Sequence, residues 1–178
     1  MVSEVNGTWD TAIEVPGTAT LNAGGNAGTT SVSCASAGNC LVGGSYAPNR
    51  QHRQAFAVSE ENGAWGTARE IPGTGTLNVG GAANVNSVSC ASAGNCSVAG
   101  FYSVPCQGIQ CADQQALVVS EVNGTWGNAE EIPNTATLNK GNFAGAGSVS
   151  CASPGRCLAG GFYSVSASNQ QAFVVNET

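Results

Sequence analysis

A chain of 178 residues is the length of one domain, but only 9% of it is charged, against roughly 25% in ordinary globular proteins. A net charge of −6 with five basic residues excludes the basic footprint of a nucleic-acid-binding protein. The 42% hydrophobic share argues against disorder, and no apolar run approaches the ~18 residues of a membrane-spanning helix, so no membrane insertion is expected.

Glycine (25), serine (18) and asparagine (17) fill a third of the chain, and their spacing is not random. Three copies run end to end over 3–58, 59–119 and 120–175, all within one repeat domain spanning 1–178. The first and third are 56 residues long and identical at 34 positions; the middle one is 61 residues, its extra length lying around Cys106–Cys111. The shared frame reads S-E-x-N-G-x-W, E-[VI]-P, T-L-N, S-V-S-C-A-S-x-G-x-C, G-x-Y and Q-A-[FL]. Such likeness indicates one supersecondary unit used three times.

Taken in chain order, residues 2–16 supply a strand that follows a hairpin turn at Asn6-Gly7. A Gly/Asn/Thr-rich connection comes next, and its one recurrent apolar residue (Leu21, Leu77 or Leu138) is expected to plug a gap between units. A first strand over 31–36 turns at Ala37-Gly38-Asn39 into a second over 40–46. The third, 54–60, alternates with period 2, placing Phe56 and Val58 on one face. Asn62-Gly63 is a strong two-residue hairpin signal, since both positions need positive φ, and Asn123-Gly124 repeats it. A fourth strand carries Trp65 and ends near Ile71-Pro72, where proline stops pairing. No helical periodicity is visible, so the chain reads as all-β.

Each of the eight cysteines has a local mate: Cys34/Cys40, Cys90/Cys96, Cys106/Cys111 and Cys151/Cys157. C-x5-C across a hairpin sets two side chains opposite each other at its turn end, within bridging reach. Zinc is the competing reading, but it usually brings C-x2-C pairs and histidines, and this chain has one histidine. Reduced structural cysteine is the third. Disulfides are expected, and with them an oxidising compartment and a secreted or cell-surface protein. Met1 leads straight into repeat sequence, so no signal peptide is read.

S-V-S-C-A-S-A-G-N-C at 31–40, its copies at 87–96 and 148–157, and the G-x-Y that follows each resemble the cysteine-bearing β-propeller repeats of large exported actinobacterial-type proteins. The resemblance implies four-stranded antiparallel blades around an axis and carries no catalytic residue set. Three copies are fewer than the four to eight blades of a propeller. The last copy has strands one to three only, so its blade needs the segment 2–16 of the same chain or of a neighbour. A homodimer would make a six-bladed ring. The alternative is a β-trefoil, also built of three four-stranded repeats, although the Q-x-W signature of ricin-like trefoils is absent.

Recurrent Trp9, Trp65, Trp126, Tyr46, Tyr102 and Tyr163 are read as packing between units rather than as sugar platforms. Glu4, Glu60 and Glu121 are read as solvated strand ends. Glu60-Glu61 and Glu130-Glu131 point to opposite faces of a strand and form no acid/base couple. His52 lacks a nucleophile motif, no metal constellation is read, and two aspartates cannot make an EF-hand-like loop, so neither enzyme activity nor a cofactor is expected. What varies between copies is the connection after each tyrosine. Arg50, His52 and Arg53 in the first, Gln107, Gln110 and Asp113 in the second, and Asn169 in the third are the candidate binding residues. The expected function is a non-enzymatic extracellular binding module for a glycan or surface protein. The alternative is a structural spacer or assembly repeat of a larger surface protein.

Overall fold

A computed structural model describes residues 4–105 and 113–177. Strands β1 (Glu4–Val5) and β2 (Thr8–Trp9) form a small hairpin that pairs only with itself. A one-turn helix α1 (Thr18–Leu21) follows, then β3 (Ala27–Ser36), β4 (Asn39–Tyr46), β5 (Gln54–Glu61), β6 (Ala64–Trp65) and β7 (Arg69–Glu70). A second set of elements comprises α2 (Thr74–Leu77), β8 (Asn84–Ser92), β9 (Asn95–Val104), β10 (Asp113–Val122), β11 (Thr125–Trp126) and β12 (Glu130–Glu131). The third gives α3 (Thr135–Leu138), β13 (Ala144–Ser153), β14 (Arg156–Ser166) and β15 (Asn169–Asn176).

Besides the β1–β2 hairpin, these strands make three separate antiparallel sheets, the first two taking their fourth strand from the start of the next copy. The first runs β3-β4-β5-β6 with β7 also on β5, and the second β8-β9-β10-β11 with β12 on β10. The third is β13-β14-β15 alone. The chain is all-β, as expected, and its long strands fall into three separate sheets rather than one trefoil barrel. The fourth strand is broken at 66–68 into two short pieces, and the first strand begins earlier than residue 31. The three one-turn helices were not anticipated. One turn is too short to show a 3.6-residue period; Gly17, Gly73 and Asn134 open the turns with positive φ. The Thr18, Thr74 and Thr135 hydroxyls then donate to the carbonyls three residues back.

Local chemistry explains the hairpins. Asn6-Gly7, Asn62-Gly63 and Asn123-Gly124 all have positive φ at both positions, the geometry that matches a two-residue turn to strand twist. Cys34, Cys90 and Cys151 sit directly opposite Cys40, Cys96 and Cys157 in register, and all three pairs are disulfide-bonded. Cys106 and Cys111 lie outside the described residues.

The sheets stack side by side with the second in the middle: β8 packs on both β3 and β13. Alternation buries both faces of a strand. Phe56 and Val58 of β5 join one core with Val42, Tyr46 and Ala68, while Ala55 and Ala57 join a second core shared with the middle sheet. That second core holds Leu41, Ile71, Val85, Val98 and Leu117, and Leu77 packs against it, filling the gap between units as expected. A third, smaller core of Ala99, Ala116, Ile132, Ala146, Val149 and Ala159 joins the middle sheet to the last.

Candidate binding face and the open groove

The described residues just ahead of each variable loop lie beside the segments that lead into the sheets: Gly24, Gly80 and Gly141 donate their N–H to Ala47, Ser103 and Ser164. In the first, the Asn49 carboxamide oxygen accepts from the Gln51 and His52 N–H groups, both at 2.9 Å, which shapes the loop. Arg50, His52 and Arg53 are exposed there. Arg53 also works as a joint. Its N–H donates to Gly81, its carbonyl accepts from Ala83, and its guanidinium lies 5.8 Å from the centre of the Phe101 ring. The His52 ring rests on Gly81, where a side chain would meet His52 Cδ2 at 2.5 Å and where φ is +83°.

Asp113 and Asn169 open β10 and β15 at the positions that correspond to His52. Asn169 is exposed, its oxygen 3.4 Å from Gln171 Nε2, and Asp113 is half-buried opposite Val104. Gln107 and Gln110 lie outside the described residues. Three copies thus offer three chemistries, imidazole, carboxylate and amide, at one repeated position. Among the described residues, the first loop brings three of the candidate residues together.

Three recurrent sets of residues hold this face and stack together: asparagines and serines that sequence reasoning passed over, and the tyrosines it read as packing between units. The T-L-N asparagines are buried clamps. Asn78 Nδ2 donates to the Arg53 carbonyl and Gln54 Oε1, both at 2.9 Å, while its Oδ1 accepts from Ser103 N–H. Asn139 repeats this with Gln114, Gln115 and Ser164. The S-V-S-C serines rivet neighbouring sheets: Ser31 and Ser33 accept from Val88 and Cys90 N–H at 3.1 and 3.0 Å, and Ser87 and Ser89 accept from Val149 and Cys151 N–H at 3.1 and 3.0 Å. The G-x-Y tyrosines reach the E-[VI]-P glutamates, with Tyr46 to Glu70 and Tyr102 to Glu131 each at 2.7 Å. Burial first, then the bond and the charge of these glutamates, pushes both phenols well above their ordinary range. The signal for all three sets was recurrence in every copy.

Two expectations need correction. Glu121 is not a solvated strand end: it is buried, because the middle sheet is covered on both sides. Burial holds its carboxyl above the usual range, Arg69 working against this and Glu61 with it. Trp65 and Trp126 pack against cores as expected, whereas Trp9 is 68% exposed, because the described residues hold no ladder between 2–16 and β15 of the same chain.

Between the second and third sheets lies a groove of about 580 Å³, lined by Trp126, Pro133, Val149, Ala159, Val175 and Glu177. Within the groove Ser120 Oγ donates to Glu177 Oε1 at 2.7 Å. The corresponding space between the first and second sheets is filled by the second sheet's own fourth strand through Trp126 and Ala129.

The fold and its bridges define a disulfide-bonded all-β repeat protein. Three disulfides point to an oxidising environment, and no helix among the described residues is long and apolar enough to cross a membrane. No protein-family model and no curated protein matches the chain.

Proposed function

We propose that the three sheets are blades of a β-propeller and that the protein is a non-enzymatic extracellular recognition module, engaging a glycan or a cell-surface protein through the loops on one face. The observation that carries this reading is the contrast between frame and loop. The frame repeats its serine rivets, asparagine clamps and disulfides nearly unchanged, while the loops it holds differ in length and charge between copies. A rigid scaffold with divergent loops on one side is the usual arrangement of a recognition surface. Arg50 and His52 supply donors suited to hydroxyl and carboxylate groups of acidic sugars.

The test is a glycan array probed with the purified chain, alongside an Arg50→Ala/His52→Ala variant. Saturable binding lost in the variant at unchanged melting temperature supports the reading. Binding to no glycan and to no intact cell surface overturns it and leaves the alternative, a structural repeat. That alternative draws support from the open groove and the exposed strand β15, which suit assembly better than recognition.

A further inference from the structure

We propose that a second copy of this chain completes the third sheet, its segment 8–14 adding a strand to β15 with Trp9 seated in the groove between second and third sheets. The argument rests on an interface the chain already contains twice, and it does not depend on what the loop face binds.

Inside the chain every join between sheets is made in the same way. The leading sheet offers two serine hydroxyls and a flat glycine or alanine. The following sheet offers two N–H groups and a valine: Val88 packs on Gly43, and Val149 shares a core with Ala99. A tyrosine of each complete sheet bonds the glutamate of its own fourth strand, and the proline before each sheet accepts from an alanine N–H of that strand, Pro72 from Ala129 at 2.7 Å and Pro16 from Ala68 at 2.8 Å.

The two ends of the stack carry the matching halves of one more such join. At the leading end, Val32 is 62% exposed while its counterparts Val88 and Val149 are 6% and 7%. At the trailing end, Ser148 and Ser150 are exposed, and Leu158 is 46% exposed against 1% for its counterpart Leu41. The frame then sets the partners once the β1–β2 hairpin opens, because the edge of Trp9 that Glu177 takes is paired with Glu4 in the single chain. Val32 and Cys34 N–H of one copy donate to Ser148 and Ser150 of the other, Ala12 N–H donates to Pro133 O, and Tyr163 donates to Glu14. The register seen at Phe56↔Glu70 and Glu60↔Trp65 places Glu14 opposite Phe173 and Trp9 opposite Glu177. Strand addition satisfies the open edge of β15, and the indole covers Val149, Ala159 and Val175. Propellers close with four to eight blades, and six is the one multiple of three in that range, so two copies close the ring.

The experiment is native mass and sedimentation across a dilution series for the chain of 17.7 kDa, with Trp9→Ala, Val32→Asp and the control Val79→Asp. Both Trp9 and Val32 are exposed in a single chain, so their variants keep the single-chain fold, checked by circular dichroism. A discrete dimer is expected. Trp9→Ala and Val32→Asp should each weaken self-association at least ~30-fold, the size of a hot-spot loss at 1.4 kcal/mol per tenfold, with Val79→Asp unchanged. A monomer at all concentrations, open polymers, or a dimer indifferent to both substitutions overturns the inference. None of these outcomes bears on glycan binding by the loops, which the array reads separately.

Discussion

Asn78 illustrates what a single buried polar side chain does in this protein. It is 4% exposed and joins the loop after the first tyrosine to the segment entering the second sheet and to Ser103. Asn78→Ala removes the acceptor of the buried Ser103 N–H, while the Arg53 carbonyl keeps the Ala83 N–H, and an orphaned buried group costs about 1–3 kcal/mol. A loss of ~1–3 kcal/mol in denaturant midpoint analysis is therefore expected, larger than for the less buried Asn22→Ala. Glu121 runs the other way. Because burial raises its folded value, its contribution to stability is complete below the unfolded value near 4.5 and is lost as pH rises through the folded value. Glu121→Gln is then expected to raise the melting temperature at pH 7 and to leave it nearly unchanged at pH 3.5. A lower melting temperature at pH 7 would contradict the assignment of burial as the dominant cause.

At the scale of an element, the fourth strand decides how well each copy is packed. Phe56 and Leu117 are fully buried beneath fourth strands of their own sheets, whereas their counterpart Phe173 is only half-buried, its sheet having three strands. Trp65→Ala removes a partly buried indole from the core of Val42, Phe56 and Val58. Its cost should fall below the ~3–5 kcal/mol of a fully buried tryptophan but above ~1 kcal/mol, with ligand affinity unaltered. An unchanged melting temperature together with lost binding would reassign the indole to recognition. The strand pattern was largely legible from sequence here, since Asn62-Gly63 and the period-2 run 54–60 fix the hairpin locally. The break in the fourth strand was not, because Gly66-Thr67-Ala68 has no breaker signal that distinguishes a kink from continued pairing.

For the whole molecule, the disulfides stay within sheets and the polar rivets run between them. Closing a seven-residue ring gives at most roughly 2–2.5 kcal/mol in the chain-entropy model. Cys90→Ala/Cys96→Ala should therefore lower stability by about 2 kcal/mol without separating the sheets. Non-reducing peptide mapping should find 34–40, 90–96 and 151–157 bridged within their own copies; a bridge between copies would contradict the stacking of separate sheets.

The repeat, the all-β class, the hairpin turns and three of the cysteine pairs could be read from the residues alone. Each is a local matter: a turn needs its own two residues, and a bridge across a hairpin needs only register. Only the tertiary structure decided which recurrent residues join units. Ser31 and Ser33 read as ordinary strand serines until the next sheet brings Val88 and Cys90 N–H within 3.1 and 3.0 Å. It likewise decided that Glu121 is buried where its counterpart Glu4 is exposed, and that Trp9 is exposed where Trp65 and Trp126 are half-buried. Burial depends on what stands on each side of a sheet, and identical motifs at the middle and at the ends of a stack meet different neighbours.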